Sequence, residues 1–318
     1  MNKILFLKLI YVAYIAAHPL TNTLECYFDE DKIVSITGYS CILTDINVNI
    51  TKRTQKIIIT GVHNEHHADE HIVNIKVFDS YMPFIVPEIL SAFPNIEGLE
   101  IRKSSLQRIQ PFVLSTAPNL KDILIVDNNI PVLEHGAFEG LENLEHLLLV
   151  GNHIETIEEN AFFGLNKLQT LWLTHNRFTK LPSATFAGLT NLRKLFITHT
   201  FLARIGAQLL HNNTQLQQLV LTDNKINEIE STFVDELGNL EILKLKSNVC
   251  VDEDFVDVKE KINKNDLVEA LGKCFDNFAI GGSEIRRESP ENIVQRVILE
   301  FHGKFAIYSE NGDVLFSN

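Results

Sequence analysis

The sequence predicts an α/β solenoid: a chain wound into stacked turns, with a parallel sheet along one side and its two ends closed by disulfides. Three observations predict it. A 24-residue pattern recurs in register eight times, with starts at 72, 96, 120, 144, 168, 192, 216 and 240. Within each copy a short stretch alternates its apolar residues with the period of a strand. Four cysteines lie outside the pattern, Cys26 and Cys41 before it and Cys250 and Cys274 after it.

Residues 1–17 read as a secretory signal peptide. Lys3 supplies the positive start, Ile4 to Ile15 the apolar run, and Ala16-Ala17 the small residues before the cut. That run is short of the roughly 20 residues that span a bilayer. No later segment is long and apolar enough, so a secreted chain without a stable membrane anchor is expected, in an oxidising compartment.

Residues 18–71 form the N-terminal cap. Ile57-Ile58-Ile59 predicts a capping strand. His63, His66, His67 and His71, interleaved with Glu65, Asp69 and Glu70, predict a solvated loop; the tract lacks the H-E-x-x-H spacing of a zinc helix, and no metal is expected.

Residues 72–249 are the eight repeats. Leu144, Leu147, Leu149, Asn152 and Ile154 recur as Leu168, Leu171, Leu173, Asn176 and Phe178, and again from Leu120, Leu216 and Leu240, with weaker copies from Ile72, Ile96 and Leu192. The x-L-x-L-x core is a strand whose leucines face inward. The Asn that follows is placed to bond neighbouring backbone in the turn leaving the strand; Ser80, Ser104 and Thr200 take its place in three units. Leu133, Phe138 and Leu141 recur as Ile157, Phe162 and Leu165, then as Leu181, Phe186 and Leu189, so the return half buries a second apolar set. No unit can bury its core alone, and neighbours must stack.

This pattern resembles the extracellular leucine-rich repeat family in its 24-residue form, and the resemblance covers residues 72–250. It implies a horseshoe with the parallel sheet on its concave side. The acidic, signal-bearing chain with few cap cysteines looks most like secreted arthropod members. Members often carry four cysteines in each cap, so these caps are reduced versions.

Residues 250–274 form the C-terminal cap. The local pairing, Cys26–Cys41 and Cys250–Cys274, is the one that does not tie the two solenoid ends together. Each such loop contributes roughly 3 kcal/mol in the chain-entropy model. Residues 275–318 form a C-terminal extension outside the repeat. Ser289-Pro290 predicts a helix start with an apolar stripe from Ile293 to Phe301, and Asn311-Gly312 between two apolar runs predicts a hairpin. The extension is expected either to cover the last units or to serve as a contact arm for a partner or for a second copy of the chain.

The chain holds 41 acids against 28 Lys and Arg, a net charge of -13, which argues against nucleic acid as a partner. No nucleophile elbow, phosphate loop or dinucleotide fingerprint is found, so no catalytic residue and no cofactor are expected. Function is expected on the outward strand positions, which are free of core duty. Their middle column reads Lys76, Glu100, Leu124, Leu148, Trp172, Phe196, Val220, Lys244. Leu124 to Val220 form an apolar stripe expected to be exposed, with Trp172 and Phe196 as anchors and His175 and His199 beside them at the strand exits. Asn49 and Asn212 begin glycosylation sequons. The expected function is recognition of a protein or glycan partner through the concave face, in innate recognition, signalling or matrix organisation. The alternatives are a structural matrix or cuticle component and an enzyme inhibitor.

Overall fold

The computed structural model describes residues 23–31, 38–48, 57–63, 67–236, 238–258, 264–280, 306–308 and 314–317. The signal peptide, Asn49, His66, the helix start at Ser289-Pro290 and the turn at Asn311-Gly312 lie outside them.

The expected leucine-rich solenoid is present. Eight strands, Asn74–Phe78, Gly98–Arg102, Asp122–Val126, His146–Val150, Thr170–Trp172, Lys194–Phe196, Gln218–Val220 and Ile242–Lys244, lie side by side in sequence order. All pairs are parallel and in register at a step of 24 residues, Ile123 opposite Leu147 and Leu171 opposite Leu195 among them. The inward residues, such as Leu147, Leu149, Leu171 and Leu173, are fully buried. The return halves hold little helix. They are turns, 3-10 segments and two-residue strands, with Val132–Leu133 parallel to Thr156–Ile157 and Arg204–Ile205 parallel to Glu228–Ile229. Their phenylalanines stack from unit to unit: Phe138 on Phe162 at 5.9 Å and Phe162 on Phe186 at 6.1 Å between ring centroids.

The Asn column does what its residue type allows. Asn176 donates from Nδ2 to the Leu149 carbonyl of the preceding unit at 2.7 Å and to Leu173 of its own at 2.9 Å. Its Oδ1 accepts from the Asn152 and Ile154 amides at 3.2 and 3.0 Å. Asn128, Asn152 and Asn224 repeat the pattern. Ser104 keeps part of it, its hydroxyl donating to the Val77 and Arg102 carbonyls. The residue just before each of these positions is left-handed in all eight units: Asp79, Lys103, Asp127, Gly151, His175, His199, Asp223 and Ser247, with φ between 46° and 66°. This turn swings the Asn side chain inward. Asp and His tolerate that region better than branched residues do.

A second Asn ladder runs along the other rim. Asn95, Asn143, Asn191 and Asn239 each donate to a carbonyl 25 residues earlier, at 2.6 to 3.1 Å. The sequence signal for it, Asn immediately before the leading Leu, was open to reading.

Both ends are closed as expected, with disulfides Cys26–Cys41 and Cys250–Cys274. At the N-terminal end Gly38–Thr44 pairs parallel to Asn74–Phe78, Thr23–Asp31 pairs antiparallel to it, and the expected capping strand, Ile58–Gly61, forms the edge. The histidines differ from the solvated loop expected. His63 stacks on Phe28 at 4.1 Å and His67 on Tyr39 at 4.0 Å, so their rings finish the cover over the first unit. An imidazole serves here as a flat apolar plate with a polar rim, which charge patterning alone does not reveal.

At the C-terminal end Asp254–Val256 pairs antiparallel to Ile242–Lys244. Asp254 Oδ1 accepts from the Leu245 and Lys246 amides, and Asp252 Oδ1 from Ser247. These carboxylates take the place of the strand carbonyls that a further unit would offer, as Lys244 and Lys246 offer theirs to the Leu221 and Asp223 amides. The helix Gly272–Ile280 runs through the boundary placed after Cys274. Asn277 donates to the Asn227 carbonyl and the Arg204 guanidinium lies 3.9 Å above the Phe278 ring, so the cap continues to Ile280. Beyond it the expected hairpin strands pair antiparallel, Ala306–Tyr308 with Val314–Ser317.

Leu171→Ala should cost roughly 2–5 kcal/mol of unfolding free energy by leaving a cavity. Asn176→Ala should cost at least about 3 kcal/mol, because it strands two buried amides and a carbonyl. Asn176→Ser should recover part of that loss, as Ser104 does in its own unit. Urea unfolding of the three variants measures this, and equal stability for the Ala and Ser variants would exclude a ladder role.

Candidate functional site

The concave face is built by the outward columns of the eight strands. It divides into three zones along the solenoid. The first is a buried ion cluster: Glu100 pairs with Arg102 and lies 3.8 Å from the Lys76 ammonium, with Lys76 1% and Glu100 5% exposed. The second is apolar. Leu124, Val126, Leu148 and Val150 pack into a cluster separate from the main core, with Trp172 against its edge. The third is aromatic. Trp172 stacks on Phe196 at 4.1 Å, and His175 stacks on His199 at 4.5 Å at the strand exits beside them. His199 lies 3.7 Å from Asp223.

The stripe expected to be exposed is therefore exposed only in part. Leu124, Leu148 and Val220 are buried, whereas Trp172 and Phe196 are half-buried. Side chains 24 residues apart sit on adjacent strands about 4.8 Å apart, close enough to press on each other. Leu124 and Leu148 thus form a floor, and the aromatic pair stands where a ligand can reach it.

The charge of this face is the reverse of the chain's. The outward columns carry Lys76, Arg102, Lys194, Lys244 and Lys246 against Glu100 and Asp122, within a chain of net charge -13. Burial raises the Asp122 carboxyl above its ordinary range against the pull of His146. Burial likewise raises Asp127 against Lys103 and Arg102. His175 is pushed down to about 4, by burial first and then by repulsion from His199, with Asp223 opposing. It is neutral at pH 7, and its ring stacks on that of His199.

Among the described residues no group of three His, Cys, Asp or Glu side chains is placed to hold a metal ion. A groove of about 610 Å³ along the rim is lined by Glu70, Asn95, Glu97, Asn119, Lys121 and Asn143. Lys121 and Glu97 pair across it at 2.8 Å. It brings together no reactive group. Among the described residues no helix is long and apolar enough to cross a membrane.

This fold and this repeat define a class. Residues 94–154 and 143–202 match the family model described as leucine rich repeat. No curated protein matches the chain. The structure in the TLR13-ssRNA13 complex matches over 60% of this chain with a TM-score of 0.53 and 22% identity. A leucine-rich repeat protein of Leptospira interrogans matches over 67% with a TM-score of 0.52 and 19% identity. The chain spans 27% and 56% of the lengths of those two proteins. At these identities the likeness shows the fold, that of a leucine-rich repeat solenoid.

Because His175 titrates near 4 when folded and near 6.5 when unfolded, the unfolded chain binds the extra proton between those values. Stability from this site is complete above pH 6.5 and falls as pH drops towards 4. His175→Asn keeps a residue suited to the left-handed turn and removes the titration. Its melting temperature should fall less than the parent's across that window; parallel curves would refute the assignment.

Proposed function

We propose that this chain is a secreted binding module that captures a protein or glycan partner of acidic character through its concave face. Trp172 and Phe196 are the anchors, His175 and His199 flank them, and Leu124, Leu148 and Val220 form the supporting floor. One observation carries the reading: a half-exposed Trp–Phe stack sits on a cationic face of an otherwise acidic chain. Trp is the residue type most enriched in binding hot spots, and complementary charge speeds encounter and excludes wrong partners. The leader-like residues 1–17 and the two cystines support secretion. Asn212 is exposed on the return side, where its Nδ2 donates to the Ala187 carbonyl at 3.2 Å. A glycan there would leave the concave face open; Asn49 is the second proposed acceptor. The role is non-enzymatic.

Cross-linking in the native extracellular fluid followed by mass spectrometry identifies the partner. Trp172→Ala and Phe196→Ala should then each weaken binding by about 2 kcal/mol, roughly thirtyfold in Kd. Their stability loss should stay well below that of Leu171→Ala. Unchanged affinity in both variants would move the site off this face.

A further inference from the structure

The twelve-stranded sheet ends in two edges of opposite character. A strand edge carries unpaired backbone amides and carbonyls, and soluble proteins guard it with charge, proline or a bulge. The C-terminal edge, Asp254–Val256, is guarded: Asp252, Glu253, Asp254 and Asp257 crowd it with negative charge. The N-terminal edge, Ile58–Gly61, holds no charge and no proline. Val62, which follows it, is 87% exposed and Tyr27 67%, the two most exposed large apolar side chains among the described residues, and Ile58 is 50% exposed. Cys26 lies opposite Gly61, so Tyr27 and Val62, one residue on in each strand, are neighbours. The packing around them holds Val62 outward. A Cβ on Gly61 would lie 2.5 Å from Phe28 Cε2, and the His63 ring stacks on Phe28 at 4.1 Å. Val62 stands between two residues held against the inner side, and strand alternation turns it to the other. Tyr27 lies opposite Ile42 and Ile42 opposite Lys76, so this apolar patch is on the sheet face that carries the outward columns.

We propose that the Ile58–Gly61 edge is where two copies of this chain join, strand against strand, as a two-fold dimer. Charge selects this edge. Two uncharged strands meet without repulsion, whereas two C-terminal edges would face each other with Asp252, Glu253, Asp254 and Asp257 from each copy. The nearest charge on the paired strand is Glu25, opposite Thr60 and one strand in from the seam. Identical strands related by a two-fold perpendicular to the sheet pair antiparallel. That operation keeps Tyr27, Ile58 and Val62 of both copies on one side, where they meet across the seam. These three side chains expose on the order of 400 Å² per copy. With the paired backbone, two copies approach ~1,200 Å², the low end of specific interfaces, so the dimer is expected in the micromolar range. The assembly is closed, because each copy uses its open edge and the guarded edge stops growth into a filament. Both concave faces then lie on the same side of one continuous sheet, which gives a single particle two copies of the Trp172–Phe196 surface.

Sedimentation velocity of the full chain from about 1 to about 100 µM should show a monomer passing into a dimer. Thr60 is exposed within the edge strand. Thr60→Lys and Thr60→Glu should each weaken dimerisation at least about tenfold, and the two variants mixed in equal amounts should recover it. Mixing repairs a charged seam but not a misfolded cap, so the recovery keeps the two apart. Trp172→Ala lies outside the seam and should leave the dimer unchanged, so a failure of the binding-site reading does not reach this result. A monomer at every concentration overturns the proposal. So does an equimolar mixture that stays monomeric, or a dimer that persists in both charged variants, which would place the contact elsewhere. Growth beyond the dimer also overturns it, because it would join the N-terminal edge to the C-terminal edge of the next copy.

Discussion

The solenoid depends on one repeated interaction, the bridge made by a buried Asn between its own turn and the turn before it. A 24-residue unit leaves backbone amides and carbonyls pointing along the solenoid axis at each strand exit, where no water reaches them. An unmet buried amide costs on the order of 1–3 kcal/mol, and eight units would multiply that cost. The carboxamide suits the position because one side chain both donates and accepts. Asn176 meets carbonyls of two units and amides of the preceding one. The left-handed residue before it is the conformational cost of aiming that side chain inward, and it is repeated at every unit. The invariance of the 24-residue step follows. One inserted residue would take the carboxamide out of register with both neighbours.

With the inward positions given to leucine and the turn positions to Asn, the outward columns remain free to carry function. They are not uniform. A salt-bridged end, a small apolar cluster and an aromatic pair follow one another along the sheet, and over the three columns together cations outnumber anions. Net charge taken over the whole sequence therefore misdescribes the surface that matters, because the acids sit mainly on the loops and the return side. The stacked histidines extend the aromatic strip to the strand exits, and burial, then repulsion from His199, keeps His175 neutral.

The architecture was legible because leucine spacing reports directly on strand phase and turn length. Both cystines were legible because their position relative to the repeat left one local pairing. What could not be read was burial on the outward face. Leu124 and Trp172 occupy the same column and the same strand phase, yet one is floor and the other is half open. That difference depends on the side chains packed beside each on the neighbouring strands, which local pattern does not encode. His63 and His67 escaped for a related reason: their stacking partners Phe28 and Tyr39 are more than 20 residues away in sequence. Asp252 and Asp254 were equally opaque, since a carboxylate acting in place of a strand carbonyl carries no repeat signature of its own.

The Asn bridge has a direction. Each carboxamide reaches back to the unit made before it, so a unit's exit turn is satisfied only by residues about 24 positions further on. On a ribosome delivering ~5–20 residues per second, every newly emerged turn would wait one to several seconds for its complement, then lock as the next one begins to wait. Assembly would advance like a zipper with a single open tooth, always at the C-terminal end. Val251 ends that advance: its carbonyl accepts from the Asn248 amide, where a further carboxamide would, Asp252 and Asp254 accept from the last strand's amides, and the closing cystine follows at Cys274.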